Sequence, residues 1–414
     1  MEIKRILFSL ILVLLIACKS TEPSKSVQQD AFVPPTMGWA SWNHYHANIS
    51  EDIIKAQADA MVQTGLSQYG YRYINIDDGY FGGRDANGGM LHHPERFPKG
   101  MKHLAEYIHG KGLKAGIYSD AGINTCASHY DQDTIGAGMG LFGHEEQDLR
   151  RMLQEWDYDY IKVDWCGANW LNLDEETQYT KLVTLARRYK PDVVFNVCRW
   201  EFPGMWVTSL ANSWRISTDI RNNFNSVLKS IDHNADLWKY ASAGHYNDMD
   251  MLQIGRGMSY EEDKTHFTFW CLMHSPLLLG NDLTELSAQT LEIVTNEELI
   301  EINQSPYVYQ ARRIQKDGDM EIWGRPLVST MSGEVVIALL NRSRSSQLAS
   351  VTLSRIGIDA KHGYTLRDLW SKEEQTDCSA ETFEREVPSH GVVVLKIKGK
   401  SLPFNFFQFK DGGK

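Results

Sequence analysis

From about residue 37 the chain alternates short apolar, strand-like runs with runs whose apolar residues recur at helical spacing. The strand-like runs cover residues 37–42, 71–78, 113–120, 158–164, 193–198, 214–220, 246–252 and 276–282. Strands joined by helices pair in parallel, and eight of them can close a (β/α)8 barrel. An open doubly wound sheet is the alternative, but no phosphate-binding glycine loop follows a predicted strand. The alternation therefore predicts a TIM barrel over residues 32–305.

After about residue 305 the strand-like runs follow one another with turns between them and without helical runs. They cover residues 307–314, 320–323, 335–341, 349–353, 364–369 and 391–397. This pattern predicts a C-terminal antiparallel β-sandwich domain over residues 306–399. Residues 400–414 form a mixed tail whose aromatic residues either dock on the body or fray. With 414 residues, the chain is long enough for a large core and a second domain.

The N-terminus carries a segment with the properties of an export signal. Two basic residues precede residues 6–17, an apolar stretch that is too short to span a bilayer but typical of a signal peptide. The stretch ends in Leu-Ile-Ala-Cys, which resembles the bacterial lipobox, whose cysteine is lipidated. We therefore expect a signal peptide over residues 1–18, a polar tether over residues 19–31, and an exported lipoprotein anchored through Cys18. An ordinary signal peptide with a chance cysteine is the alternative.

Composition narrows the class of function. A formal net charge of −11 argues against nucleic acid as a partner, because phosphates require a basic surface. The anchor predicts a periplasmic or cell-surface location, with the membrane contacted only through the lipid. Five cysteines remain when Cys18 is set aside, so at least one thiol is unpaired and the chain is not a disulfide scaffold. Cys126 and Cys166 both lie at predicted strand exits, but their spacing alone does not prove a bridge.

Acidic residues stand at the ends of six of the eight predicted strands, and the carboxyl ends of barrel strands meet at one mouth, where active sites lie. One acid at a strand end is usually a helix cap, but many acids at one mouth repel each other unless bases or a ligand offset them. The acids are Asp77, Asp78, Asp120, Asp164, Asp219, Asp248, Asp250 and Asp282, and the available bases are Lys162, Arg199 and Arg215. We therefore expect a polar binding pocket at this mouth.

Lys162 and Asp164 lie two residues apart on one predicted strand, so their side chains point to the same face. A surface salt bridge is the simplest interpretation of this pair taken alone. No metal or other cofactor is expected, because the histidine pairs nearest to a metal-ligand pattern fall in loops. Nucleophilic serine catalysis is not expected, because the sequence lacks the Gly-x-Ser-x-Gly motif that forms the turn at such a serine. Paired carboxylates that act on a polyhydroxylated substrate fit best.

Seven short motifs follow one another in order between residues 34 and 310. They lie at residues 36–43 (TMGWASWN), 75–79 (NIDDG), 112–122 (GLKAGIYSDAG), 162–166 (KVDWC), 214–220 (WRISTDI), 247–252 (NDMDML) and 275–278 (SPLL). Together they resemble glycoside hydrolase family 27, the α-galactosidase family. The C-terminal antiparallel β domain of that family agrees with the strand pattern after residue 305.

The resemblance implies an exo-acting retaining α-galactosidase, which removes terminal α-D-galactosyl residues from oligo- or polysaccharides through a covalent glycosyl-enzyme. Asp164 is implied as the nucleophile, kept ionised by Lys162. Asp219 is implied as the general acid and then the general base. These roles lead us to expect a raised pKa for Asp219 and a charged Asp164 near neutral pH.

The resemblance also implies which side chains bind the sugar, all of them at or just beyond predicted strand ends. They are Trp42, Asp77, Asp78, Tyr118, Lys162, Arg199, Trp200, Arg215 and Asp250. Asp77 and Asp78 would bind the 4- and 6-hydroxyls, and Trp42 would form an apolar wall. The disulfide of the family carries over onto Cys126 and Cys166.

Two positions at which specificity varies within the family bear on which sugar is the substrate, and they leave its identity undecided. Arg199 stands where many family members have Glu or Gln beside the 2-substituent, which keeps α-N-acetylgalactosaminides as an alternative substrate. Members that prefer β-L-arabinopyranosides tend to carry Glu at the position of Asp78, so Asp78 favours galactose. A sugar-binding lipoprotein without catalysis is a third hypothesis, against which the presence of both Asp164 and Asp219 argues.

Overall fold

The computed structural model describes residues 32–403 and 405–408. The predicted signal peptide, the predicted tether and Cys18, the expected lipidation site, therefore lie outside the described residues. Among the helices that are described, none combines the length and apolar character needed to cross a bilayer.

The N-terminal part of the fold, up to helix α10 (Glu297–Asn303), is a parallel barrel. Its chain segment contains ten strands: β1 (Met37–Ala40), β2 (Tyr73–Asn75), β3 (Phe81–Arg84), β4 (Met90–His92), β5 (Lys114–Asp120), β6 (Tyr160–Asp164), β7 (Val194–Val197), β8 (Ser213–Arg215), β9 (Tyr246–Asp248) and β10 (Leu277–Leu279). Strands β3 and β4 pair as an antiparallel hairpin, and the others form one parallel sheet in the order β10-β1-β2-β5-β6-β7-β8-β9. Beyond β9, Leu252 donates from N to the carbonyl of Leu278 at 2.7 Å, which closes the barrel.

Helices connect the strands, and several of them begin after a residue whose side chain caps the helix. They are α1 (Trp42–Tyr45), α2 (Glu51–Gln63), α3 (Gly100–Gly110), α4 (Cys126–Tyr130), α5 (Glu145–Arg150), α6 (Glu175–Tyr189), α7 (Phe224–Asn234), α8 (Tyr260–Leu272), α9 (Ala288–Val294) and α10 (Glu297–Asn303). The side chains of Ser50, Asp174 and Asn223 each accept a hydrogen bond from a first-turn N–H. Such caps satisfy donors that the helix itself leaves unpaired.

The second half is an antiparallel β domain. Its strands are β11 (Arg312–Asp317), β12 (Met320–Pro326), β13 (Glu334–Asn341), β14 (Gln347–Thr352), β15 (Tyr364–Asp368), β16 (Glu374–Cys378), β17 (Thr382–Val387) and β18 (Val392–Gly399). Six of them form a sheet in the order β11-β12-β13-β18-β15-β16, and β14 pairs with β17. Val351 of β14 and Val387 of β17 share a buried cluster with Ile337 and Leu395 of the larger sheet, so the two sheets face each other. The predicted fold class is confirmed.

The uninterrupted apolar run in β13 follows from burial of both faces of its sheet. Val336, Ala338 and Leu340 belong to the core cluster that continues into the barrel, whereas the alternate residues Ile337 and Leu339 pack against the second sheet. Side chains alternate between the faces of a strand, so a strand covered on both sides is apolar throughout. Helix α8 lies against this sheet, and the ring of its Phe269 meets Trp323 of β12 edge-on at 5.5 Å.

We expect Trp323→Ala to lower the free energy of unfolding by about 3–5 kcal/mol, because it empties a fully buried indole site between the barrel and the β domain. Urea denaturation measures the change. Leu348→Ala is the control: Leu348 is 60% exposed on β14 and should change stability by less than about 0.5 kcal/mol. Equal effects of the two substitutions would contradict a shared core between barrel and β domain.

Candidate active site

A cavity of about 880 Å³ opens at the carboxyl ends of the barrel strands. The predicted site residues that line it are Trp42, Asp77, Lys162, Asp164, Trp200 and Asp219. A second space, of about 30 Å³, shares Asp77 and Lys162 with the cavity and is also lined by Tyr118, Arg215 and Asp250. The structure therefore brings all the predicted site residues together except Asp78 and Arg199, which line neither space.

The register of β5 and β6 orders one side of the site. Tyr118 pairs with Lys162 and Asp120 pairs with Asp164, so alternate residues of the two strands are aligned. The ammonium group of Lys162 lies 5.4 Å from the centre of the Tyr118 ring. Since residues two apart share a face of a strand, this register presents Lys162 and Asp164 side by side at the barrel mouth.

A disulfide between Cys126 and Cys166 joins the loops that follow these two strands. The predicted pair is thereby confirmed, across a sequence separation of 40 residues. The Sγ atom of Cys126 lies 3.1 Å from Oδ2 of Asp164, so the bridge also forms part of the wall beside this carboxylate.

Lys162 lies between two buried carboxylates. Its Nζ atom is 3.0 Å from Oδ2 of Asp77 and 3.7 Å from Oδ1 of Asp164. The backbone N–H of Asp77 donates to Oγ of Ser41 at 2.9 Å, which fixes the loop after β2 against the loop after β1. The two carboxylates keep the pKa of Lys162 well above its ordinary value despite burial, so the ammonium group is charged at every physiological pH.

Burial raises the pKa of Asp164 to about 6, and the charge of Lys162 opposes this rise. The negative charge of Asp77 adds to the rise, whereas a hydrogen bond with the Cys198 thiol lowers the pKa. Asp164 is thus a desolvated carboxylate beside a cation, with few hydrogen bonds to hold its charge. Such a group is a strong nucleophile when ionised.

Asp219 lies in the loop after β8, because the strand ends at Arg215 rather than continuing to residue 220 as the sequence suggested. Its Oδ1 atom is 3.1 Å from Nη1 of Arg215, and its side chain is 56% exposed. Burial would raise its pKa, but Arg215 and Lys162 outweigh burial and hold it below the ordinary value, helped by a hydrogen bond from Trp200. Asp219 is therefore a solvent-accessible carboxylate at the cavity wall.

The order of the two pKa values is opposite to the expectation from the sequence. Asp164 has the raised pKa and Asp219 the lowered one. The physical reason is position: Asp164 is buried beside Asp77, whereas Asp219 reaches solvent and has the guanidinium of Arg215 as its partner. Strand-end placement in a sequence does not distinguish these two environments.

Arg215 is a buried connector between the loops after β8 and β9. Its Nη2 atom lies 2.9 Å from Oδ2 of Asp250 and donates to the carbonyl of Ser217 at 3.0 Å. The same Oδ2 atom of Asp250 accepts from the N–H of Ile220 at 2.7 Å. These bonds hold both ends of the segment that carries Asp219. Asp250 itself has φ of 81°, a left-handed conformation that costs energy for a residue with a Cβ atom.

Asp78 and Arg199 are engaged elsewhere. Asp78 is fully buried, and its two oxygens accept from the N–H groups of Gly79 and Ala127, each at 2.8 Å. Burial raises the pKa of Asp78 to about 7. Arg199 pairs through Nε with Glu175 of α6 at 2.5 Å and through Nη2 with Glu201 at 3.5 Å. Direct contact of these two residues with a bound sugar stays a prediction.

Several strand-end acids that the sequence grouped with the site have structural roles. Asp120 accepts from the N–H groups of Gly122 and Gly167 at 2.7 and 3.0 Å, and so ties two loops together. Asp282 caps the turn after β10 through the N–H of Thr284 at 2.9 Å. Hydrogen bonds to the charged form lower the pKa of Asp282 to about 2, although burial acts in the opposite direction.

Cys198 is a site residue that sequence reasoning missed as a contact. Its thiol is free and fully buried, 3.7 Å from Nη1 of Arg215, and it lowers the pKa of Asp164. It therefore lies between the nucleophile candidate and the arginine that holds Asp219. The available signal was its place at the end of the fifth barrel strand, β7, next to Arg199 and Trp200.

The described residues contain one cluster with the spacing of a metal site, formed by Asp120, Cys126 and Cys166. The sulfur atoms of its two cysteines are joined in the disulfide, so they are not thiolate ligands.

Comparison with known proteins agrees with this geometry. The family model described as "Alpha galactosidase A" matches residues 34–305, and that of the "Alpha galactosidase C-terminal beta sandwich domain" matches residues 317–397. Alpha-galactosidase A of Cellvibrio japonicus is 38% identical over 387 residues, which cover 88% of this chain and 91% of the relative. Alpha-galactosidase 2 of Arabidopsis thaliana is 40% identical over 341 residues, covering 81% and 82% of the two chains.

Among solved structures, α-galactosidase I from Mortierella vinacea superposes with a TM-score of 0.83 at 31% identity, covering 90% of this chain and 99% of that chain. The match includes both the barrel and the β domain. The chain thus belongs to the α-galactosidase family, glycoside hydrolase family 27.

Proposed function

We propose that this protein is an exo-acting α-galactosidase that hydrolyses terminal α-D-galactosyl residues by a retaining double displacement. The observation that carries the proposal is a pair of carboxylates in one cavity whose environments differ. Asp164 is buried beside the Lys162 ammonium, and Asp219 is accessible beside the Arg215 guanidinium. Two carboxyl groups with distinct environments are the chemical requirement for glycoside cleavage by displacement.

In the first step, Asp164 attacks the anomeric carbon while Asp219 gives its proton to the leaving oxygen. Lys162 keeps its charge throughout and prevents Asp164 and Asp77 from repelling each other. The leaving bond breaks as the bond from Asp164 to carbon forms, which leaves a covalent glycosyl-enzyme and an ionised Asp219.

The second step reverses these roles. Asp219, now ionised, takes a proton from water, and the water oxygen attacks the anomeric carbon and releases Asp164. The ester has no negative charge, so repulsion from Asp164 no longer raises the pKa of Asp219, and Asp219 is present in the ionised form that can accept the proton of the water. In the first step a bound aglycone raises the pKa of Asp219, because it excludes water from the carboxyl group and so favours the protonated acid.

Polar groups where the large cavity meets the inner space suit a hydroxyl-rich ring. Asp77 and Lys162 line both spaces, and their carboxylate and ammonium groups can accept from and donate to the hydroxyls of a sugar in the large cavity. Arg199 is paired with Glu175 and Glu201, so its charge is compensated without a substrate group. The support for galactose is the space that Asp78 leaves for a hydroxymethyl group, together with the α-galactosidase relatives.

We also propose that the protein is exported and anchored through a lipid on Cys18. The support is the basic, apolar and lipobox-like sequence over residues 1–18. The expected partners are then oligo- or polysaccharides outside the cytoplasm.

A comparison of aryl glycosides tests the proposed activity. We expect kcat/KM on an aryl α-D-galactoside to exceed that on the aryl β-L-arabinopyranoside and α-N-acetylgalactosaminide by at least about tenfold, a difference of about 1.4 kcal/mol in transition-state binding. A higher kcat/KM on either rival sugar would overturn the assignment of galactose. Binding of galactosides without turnover at any pH would instead favour a sugar-binding protein.

Two variants test the catalytic roles within the same assay. Asp164→Ala should abolish turnover of every aryl galactoside, whereas Asp219→Ala should slow substrates with poor leaving groups about 10²–10⁴-fold and spare those whose leaving group needs no proton. Circular dichroism checks that both variants fold. Retained turnover in Asp164→Ala would contradict the role of Asp164 as the nucleophile. An effect of Asp219→Ala that does not depend on the leaving group would contradict the role of Asp219 as the general acid.

The pH dependence follows from the two pKa shifts. The pair of Asp164 and Asp219 is active when it holds one proton. The raised pKa of Asp164, about 6, sets the pH above which that proton is lost. The lowered pKa of Asp219 sets the pH below which a second proton binds. We therefore expect a bell-shaped kcat/KM with an acidic maximum and a tenfold decline per pH unit well above pH 6. Pre-incubation at each pH separates this decline from unfolding. A maximum above pH 7 would contradict the assignment.

Lipidation is measured by incorporation of labelled palmitate in a bacterial host. The full chain should carry label and sediment with membranes, and Cys18→Ala should lose the label. Label that persists in Cys18→Ala would exclude this anchor, because no other cysteine stands at a signal-peptide end.

A further inference from the structure

Two arginines line the cavity beyond the catalytic carboxylates: Arg221, in the loop after β8, and Arg256, in the loop after β9. Arg221 follows Asp219 by two residues and lines the large cavity, not the inner space. The two loops are joined, because the side-chain amide of Asn222 donates to the backbone carbonyl of Arg256. Both cations therefore belong to one wall of the cavity, on the side where an aglycone leaves.

The catalytic and sugar-binding charged groups that line this cavity have partners of opposite charge. Asp77 and Asp164 face Lys162, and Asp219 faces Arg215. The remaining acid, Asp131, lies 3.3 Å from Nδ1 of His46. The catalytic charges are thus compensated within the site.

The guanidinium groups of Arg221 and Arg256 differ in this respect: neither has a carboxylate within 4.0 Å among the residues that the structure describes. Arg256 donates from Nη2 to the carbonyl of Asn43 at 2.6 Å and from Nη1 to the side chain of Gln253. These neutral acceptors orient the group over the cavity and leave its charge uncompensated. Burial without a counter-charge also lowers the pKa of Arg256, so an anion beside it would relieve a real cost.

We propose that this wall is a subsite for an anionic aglycone, a sugar that carries a carboxylate or a sulfate ester, held by Arg221 and Arg256. The proposal rests on the α-galactosidase function and specifies its substrate class. Guanidinium groups recognise the planar, paired oxygens of carboxylates and the oxygens of sulfate through two parallel hydrogen bonds. The chain as a whole has a net charge of −11, so the pair of arginines is a local feature and not part of a generally basic surface.

The cavity also offers an aromatic surface for a sugar ring. Tyr130, at the end of α4, lines the cavity and is 75% exposed, and Trp42 lies on the same cavity. An exposed aromatic face can pack against the apolar face of a pyranose while its edge stays hydrated. Aromatic side chains and two arginines on the same cavity fit an acidic sugar better than a neutral or purely aliphatic aglycone.

Matched disaccharides test the proposal. The acid substrate is galacturonic acid with α-linked galactose, its neutral control is the methyl ester of the same compound, and a third substrate carries a sulfate ester on a galactose aglycone. We expect kcat/KM on at least one anionic substrate to exceed that on its neutral counterpart by about tenfold at low ionic strength, and the ratio to fall with added salt. Preference for the uronate or for the sulfate identifies the source of the negative charge.

Substitutions assign the preference to residues. Arg221→Gln and Arg256→Gln should each reduce the ratio of anionic to neutral kcat/KM several-fold, and the double variant should bring it to about one. Arg344→Gln is the matched control: Arg344 is exposed in the β domain and the substitution removes the same charge, so the ratio should not change.

The outcomes distinguish this inference from the function on which it rests. If the protein hydrolyses an aryl α-galactoside but the ratio is one or less, or does not respond to Arg221→Gln and Arg256→Gln, the anionic subsite is wrong and the α-galactosidase function stands. If no α-galactoside is hydrolysed, the proposed function itself fails.

Discussion

The ammonium group of Lys162, placed between Asp77 and Asp164, is the interaction on which the rest of the site depends. Two buried carboxylates this close would otherwise hold a proton or separate, because an unpaired buried charge costs several kcal/mol, roughly 3–5 when one partner of an ion pair is removed. The cation allows both to remain in the barrel mouth. Its own position follows from the parallel register of β5 and β6, which is a property of the barrel and not of the loops.

A second buried cation organises the other half of the site. Arg215 joins Asp250 to the segment that carries Asp219, and the Cys198 thiol fills the space between Arg215 and Asp164. Asp164 and Asp219 are therefore held by separate cations, Lys162 and Arg215, on separate strands. This separation gives one of them a desolvated environment and the other an accessible one, the asymmetry that displacement chemistry requires. Beyond both, the arginines of the outer wall keep a charge that the protein does not compensate.

Much of the fold could be predicted from the local pattern of apolar residues in the sequence. The eight barrel strands were recognisable because strands covered by helices on one side and a filled interior on the other are short and apolar. Strands β16 and β17 were missed because their residues are mostly exposed and charged, so they carry no apolar signal. The strand over 214–220 was predicted too long, since the apolar residues after Arg215 pack in a loop that Asp250 holds through Ile220.

The sequence by itself determined the barrel, the β domain, the order of the motifs and the identity of the residues that meet at the mouth, because strand and helix periodicities and strand-end positions are local properties of a chain. Only the tertiary structure decided how these residues are used. It buried Asp78 under two backbone N–H groups, turned Arg199 towards Glu175, and gave Asp164 rather than Asp219 the raised pKa. Desolvation and the distances between charges set these outcomes, and both depend on segments far apart in the sequence.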